Sequence, residues 1–179
     1  VQTCALPSVR LHGNKVSIRS PKDAINYKIG MVHQHFLQVD SYTVTENIVL
    51  GMDLKSWPTL SLDEQADQIR ALSEKFGLAV DPDIIVSELP IGVRQKVEIL
   101  KALYRGVEVL ILDEPTTNLT PQEVDDLFVS LRVMVNEGLS IVFITHKLGE
   151  VLSVCDRITV LRDGKNVLTQ EREDVSEKS

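Results

Sequence analysis

The chain has 179 residues and a formal charge of −7, from 19 Lys and Arg against 26 Asp and Glu. That length suits one domain, and 25% charged with 43% hydrophobic residues is ordinary for a globular protein, with no apolar run near the ~18–20 residues that span a bilayer. An acidic chain without a Lys/Arg-rich block lacks the footprint of phosphate-backbone binding, which argues against nucleic acid as a partner.

In chain order, Val16–Ile18 is a weak strand candidate and Ile29–Val32 a short apolar strand. Thr43-Val-Thr-Glu46 reads as a capping box opening a helix that Gly51 ends, and Ser61-Leu-Asp-Glu64 as another ended by Gly77, with Leu62, Ala66, Ile69, Leu72 and Phe76 at helical spacing. A further helix runs from about Val93 to Tyr104. Val107–Leu112 is a nearly continuous apolar strand of the kind buried on both faces of a parallel sheet. Thr120-Pro-Gln-Glu123 opens a helix with proline at its first position and a buried stripe of Val124, Leu127, Phe128, Leu131 and Val135. Ser140–Ile144 is the next apolar strand, and Arg157–Leu161 alternates like a strand nearer an edge. Residues 170–179 are polar and read as a tail or linker. The order is strand, helical insertion over about 42–102, then strand, helix, strand.

The two cysteines, Cys4 and Cys155, lie too far apart in sequence to suggest a zinc site, and nothing near the N-terminus has the build of a secretory leader, so a reducing cytosolic setting is expected.

Each buried strand ends in polar residues: Gln34, then Asp113 and Glu114, then Thr145 and His146. Ligands of open parallel sheets bind at the carboxyl ends of the strands, where these five residues would converge. Asp113 has the setting of a magnesium-holding aspartate, Glu114 of a general base, His146 of a group contacting a terminal phosphate, and Gln34 of a residue positioning water or completing a metal shell. The plainer readings are that carboxylates after a strand cap the next helix, and that a histidine there is a hydrogen-bonded structural residue. His33 and His35 flank Gln34 without a third ligand beside them, so a metal pair is not expected there.

Four strings then occur in a telling order. Met31-Val-His-Gln-His-Phe36, Leu89-Pro-Ile-Gly-Val93 with the helix after it, Val109-Leu-Ile-Leu-Asp-Glu-Pro-Thr116 and Ile144-Thr-His146 resemble the glutamine loop, signature region, Walker B strand with catalytic glutamate, and histidine switch of the ATP-binding cassette family. The resemblance covers about Leu11 to Val167. It implies an α/β, P-loop NTPase-like parallel core with an inserted helical subdomain, a partial cassette over residues 9–169, and ATP and Mg2+ as cofactors. Ile18–Ala24, Thr45–Gly51, Val97–Gly106 and Leu119–Glu123 further resemble importers of simple sugars and nucleosides, nucleosides ahead of sugars. In that group one polypeptide usually carries two cassettes, of which this resembles the first.

The resemblance implies catalytic roles for Glu114 and His146, magnesium contact through water at Asp113 and Gln34, and nucleotide contact by Leu89 and Gly92 toward a second cassette. It also implies transmembrane permease subunits as partners, a substrate-binding protein indirectly, and a place on the cytoplasmic face of the plasma membrane. The stretch from Gln34 to Gly51 is expected to meet the permease, with some of Phe36, Val39, Tyr42 and Val44 forming a contact patch; the plainer reading is packing against the chain's own helices.

There are departures. No Gly-x-x-x-x-Gly-Lys-Ser/Thr loop occurs; Gly13-Asn-Lys15 and Gly164-Lys165 do not fit, so the chain is expected to be a fragment lacking the first strand and phosphate loop. Residues 1–8 match nothing expected and read as foreign or disordered. Pro90 stands where the signature has serine, Val93 where it has glutamine, and Thr120 where the dimer-contact loop has aspartate. These substitutions favour a rival reading, a degenerate cassette that docks without turnover; Asp113, Glu114 and His146 oppose it. A soluble cassette acting on ribosomes or DNA is disfavoured by the charge. Without the missing region the strands at Ile29–Val32, Leu110–Leu112 and Ile141–Ile144 are expected to be partly open.

Overall fold

The computed structural model describes residues 9–52 and 62–175. Its centre is a parallel sheet of β3 (Ile29–Val32), β4 (Val109–Asp113) and β5 (Ser140–Ile144), in that spatial order. The apolar strings pair in register, Val32 beside Leu112 and Asp113 beside Ile144. Leu110 and Leu112 are fully buried, covered by Val97, Ile99 and Leu100 of α4 (Ile91–Tyr104) and by Leu127, Leu131 and Met134 of α5 (Pro121–Asn136) as one core. Phe128 of α5 meets Phe143 of β5 edge to face, with centroids 5.9 Å apart.

Between β3 and β4 lies the helical insertion: α2 (Val44–Val49), α3 (Asp63–Lys75), a single 3-10 turn at Val86–Glu88, and α4. Thr43 caps α2 with the reciprocal Glu46 bond that the sequence predicts, and Thr120 does the same for α5 with Glu123. The capping box expected at Ser61 lies outside the described residues; α3 starts at Asp63 with Leu62 at its cap position and no side-chain cap. Val135 is a correction: it is exposed, and Met134 takes the buried place, because the helix stripe runs through Leu127, Ser130, Leu131 and Met134.

The periphery differs more. Val9–Leu11 (β1) and Asn14–Val16 (β2) form a hairpin turning at His12-Gly13, so the weak strand ends at Val16 and does not reach Ile18. Helices α1 (Pro21–Asn26) and α6 (Leu148–Val154) are additional to the expected ones; neither buries a residue fully. Among the described residues β6 (Arg157–Arg162) pairs only with β7 (Lys165–Glu171), as an antiparallel hairpin separate from the main sheet. β7 continues to Glu171 and a 3-10 turn follows at Arg172–Asp174, so ordered structure runs into the stretch expected to be tail.

The expected opening of the strands is local. Val32, Leu110 and Leu112 are closed, whereas Met31, Val142 and Ile144 are exposed by 43%, 48% and 43%. A cleft of about 510 Å³ between α5, β5 and the α6–β6 junction is lined by Leu131, Val135, Phe143 and Val154 and touches none of the polar strand ends.

Candidate functional site

Because β3, β4 and β5 are parallel and in register, their carboxyl ends share one edge, where Gln34, Asp113, Glu114, Thr145 and His146 emerge. Glu114 and His146 meet: Nδ1 of His146 lies 2.7 Å from Glu114 Oε1. The Glu114 side chain is 19% exposed and that of His146 73%, so the contact spans from the sheet edge to solvent.

Glu114 has φ +48°, a left-handed conformation that costs a non-glycine residue on the order of 1–3 kcal/mol and persists only where its surroundings hold it. Here its N–H donates to Ile144 O at 2.9 Å, and the Thr117 N–H and hydroxyl donate to its carbonyl at 3.3 and 3.1 Å. The turn aims the carboxylate across the end of β5 toward His146.

A second polar cluster supports this one, and the sequence reading missed it. Glu150, at the third position of α6, accepts from Thr116 Oγ1 at 2.7 Å and Thr145 Oγ1 at 3.2 Å through one oxygen and pairs with Lys147 Nζ at 2.9 Å through the other. It joins the loop after β4 to the loop after β5, which carry Glu114 and His146. A signal was available: an acid in the first turn of a helix beginning just after Thr145-His146 complements that end of the helix.

Gln34 is exposed, as are His33 and His35. Among the described residues the side chains of Gln34 and Asp113 make no hydrogen bond to another site residue. Among the described residues no hydrogen bond or ion pair joins Leu89–Val93 to Glu114 or His146. Leu89 is half-buried, Pro90 takes the cap position of α4, and its carbonyl accepts from the Val93 and Arg94 N–H groups. Arg94, also missed, ties α4 to the stretch after Gln34: it pairs with Asp40 at 2.9 Å, donates to Leu89 O, and its carbonyl accepts from Gln38 Nε2 at 2.8 Å. Phe36, Leu89, Ile91 and Arg94 line a groove of about 270 Å³. Of the expected permease patch, Tyr42 is exposed and Phe36 and Val39 are half-buried, but Val44 is fully buried in the protein's own core.

The fit to magnesium and phosphate is uneven. Among the described residues no three His, Cys, Asp or Glu are grouped to hold a metal. Magnesium bound with a phosphate needs only one or two protein carboxylates, a demand that half-buried Asp113 at the sheet edge meets. For the phosphates, Gly13 and Gly164 both sit in hairpin turns rather than in a loop opening a helix. Cys155 is half-buried, and burial pushes its thiol up, away from reactivity.

Comparison with known proteins supplies the context. The family model described as ABC transporter matches residues 6–117. The nucleoside import ATP-binding protein NupA of Lactococcus lactis subsp. cremoris is 48% identical over 163 residues, which cover 91% of this chain and 32% of that protein. The guanosine import ATP-binding protein NupO of Bacillus subtilis is 43% identical over 169 residues, covering 94% and 33%. The glucose import ATP-binding protein TsgD13 of Haloferax volcanii is 45% identical over 196 residues, covering 94% and 36%. The chain thus spans about a third of the length of the curated relatives it matches. A solved nucleotide-free ATP-binding cassette from an ABC transporter superposes with a TM-score of 0.78 at 22% identity, over 92% of this chain and 69% of that one. A cassette in its ADP conformation superposes with 0.75 at 23%, over 89% and 67%.

Proposed function

The chain belongs to the ABC transporter family, and from that premise we propose that it is part of the ATP-binding subunit of an importer, coupling ATP hydrolysis to uptake of a nucleoside or simple sugar, nucleosides ahead of sugars. The observation that carries the hydrolytic part is the Glu114–His146 contact at the shared edge of β4 and β5. Glu114 takes a proton from the attacking water. His146, oriented through Nδ1 by Glu114, turns its exposed side chain toward the terminal phosphate. Asp113 and Gln34 would hold magnesium, partly through water, and the ion would supply charge neutralisation for the phosphates. Leu89 and Gly92 mark the stretch that would face the nucleotide of a second cassette, in the same or another chain, with half-buried Leu89 the more accessible of the two because Gly92 is buried against Glu123.

The groove of Phe36, Leu89, Ile91 and Arg94, with exposed Leu37 and Tyr42 nearby in sequence, supports permease docking on the cytoplasmic face of the plasma membrane. Among the described residues no helix is long and apolar enough to cross a membrane. A second reading, a docking cassette without turnover, is favoured by Pro90, which brings no hydroxyl and no N–H to the start of α4. Uptake of labelled nucleosides and sugars by cells carrying wild-type protein or Glu114→Gln separates the two. The importer reading expects uptake of one substrate class, abolished by the substitution; uptake that ignores Glu114 overturns it.

A further inference from the structure

The first turns of α4 and α5 meet at Gly92 and Glu123. Thr120 caps α5: its hydroxyl accepts from the Glu123 N–H, while its own N–H and hydroxyl both reach Glu123 Oε2 at 2.8 Å. The other oxygen, Oε1, lies over the Cα of buried Gly92. A methyl group on residue 92 would collide with Oε1 and stand 2.7 Å from Glu123 Cδ, so the Glu123 carboxylate keeps this place only while residue 92 has no side chain. Swinging Glu123 aside would strain or break its bonds to Thr120 and so weaken the cap of α5. The Thr120 N–H and hydroxyl, and more weakly Lys96 on the facing helix, hold its carboxyl below the ordinary glutamate value, as expected of a carboxylate kept in place.

We propose that Glu123 is a positioning residue for the Leu89–Val93 loop: its carboxylate, fixed by Thr120, seats the first turn of α4 through Gly92, so that the Thr117–Thr120 loop and the Leu89–Val93 loop move as one unit. This rests on the functional reading above only for the statement that the loop faces a nucleotide. Where two loops of one chain must both meet a partner's surface, a direct mechanical link between them sets their spacing before the partner arrives. Ideal capping explains the Thr120–Glu123 bonds alone; it does not explain why the opposite oxygen is seated on a backbone of another helix.

Hydrogen-exchange mass spectrometry on the full-length protein tests it. Glu123→Ala should speed exchange of residues 91–95 about five-fold, the equivalent of one lost cap, although it lies on α5. Gly92→Ala should speed exchange at 121–124 in turn, and the double variant should be no faster than the faster single one. Glu123→Gln, which keeps an oxygen for Thr120 and the same shape, should restore most of the protection. Thr120→Ala, which frees the carboxylate without touching α4, should loosen 91–95 as well and serves if Glu123→Ala does not fold. Acceleration confined in each variant to the substituted helix overturns the inference. Added Mg-ATP separates it from the functional reading: coupled exchange without nucleotide protection of 89–95 sinks that reading and leaves the link standing, and protection with uncoupled exchange does the reverse.

Discussion

His146 Nδ1 and Glu114 Oε1 stand 2.7 Å apart across the ends of two adjacent strands, 32 residues apart in sequence. The contact follows from parallel pairing, Asp113 beside Ile144, which brings the next residues of both strands to one edge. It also needs the left-handed turn at Glu114, since an extended residue there would carry the carboxylate to a different side of the edge. A histidine held through Nδ1 has its ring orientation set, which leaves its other nitrogen free for a ligand.

The 179-residue chain by itself is expected to bind Mg-ATP poorly, because its sequence carries no Gly-x-x-x-x-Gly-Lys-Ser/Thr string to cradle the phosphates. Isothermal calorimetry should show no micromolar binding; a micromolar Kd would mean that the strand-end residues hold nucleotide without such a loop.

Glu150→Ala should destabilise the protein by about 2–3 kcal/mol, since it leaves Thr116 and Thr145 without their charged acceptor in a largely buried place. Glu150→Gln, which keeps an acceptor for both hydroxyls, should cost less. Urea unfolding midpoints check the order, and equal midpoints for wild type and Glu150→Ala would remove Glu150 from the support of the site.

Asp23, which caps α1, has its carboxyl held below the ordinary 3.8 by the Arg19 N–H and the Ser20 group. A carboxyl depressed in the folded state stabilises it above the unfolded value, and that contribution is lost as pH falls through the lower folded value. The cap is therefore complete at neutral pH and fades below 3.8. Carboxyl NMR titration should give a midpoint under the ordinary value, moving back up in Ser20→Ala; an unshifted midpoint contradicts the cap.

Among the described residues β5 is an edge strand with Val142 and Ile144 exposed, a combination that invites pairing with other chains. The isolated 179-residue chain is expected to aggregate and bind apolar dyes, and Val142→Lys should reduce both. A soluble monomer with a cooperative thermal transition and no dye binding would show that the core is sufficient as it stands.

Much of this architecture is legible in the sequence where a pattern has one physical meaning. Continuous apolar runs at Ile29, Val109 and Ser140 read as neighbouring strands of one parallel sheet, although Met31, Val142 and Ile144 stay exposed, and Thr120-Pro121 with Glu123 both starts α5 and fixes its direction. Helices α1 and α6 escape because they bury no residue fully, so no apolar stripe announces them, although Ser20-Pro-Lys-Asp23 is itself a capping box. Gly13 and Gly164 are conspicuous only as failed phosphate-loop glycines until hairpin pairing shows them turning strands. The Thr116–Glu150 bond and the Gly92–Glu123 seat are tertiary: each joins elements distant in sequence, and local spacing carries no trace of the partner.

The central claim is that Glu114 is the base of an ATPase site. It is tested most directly by steady-state ATP hydrolysis of the full-length protein, wild type against Glu114→Gln, with nucleotide binding measured in parallel. The account predicts unchanged binding and a loss of turnover on the order of 10²-fold or more. An unchanged hydrolysis rate would contradict it.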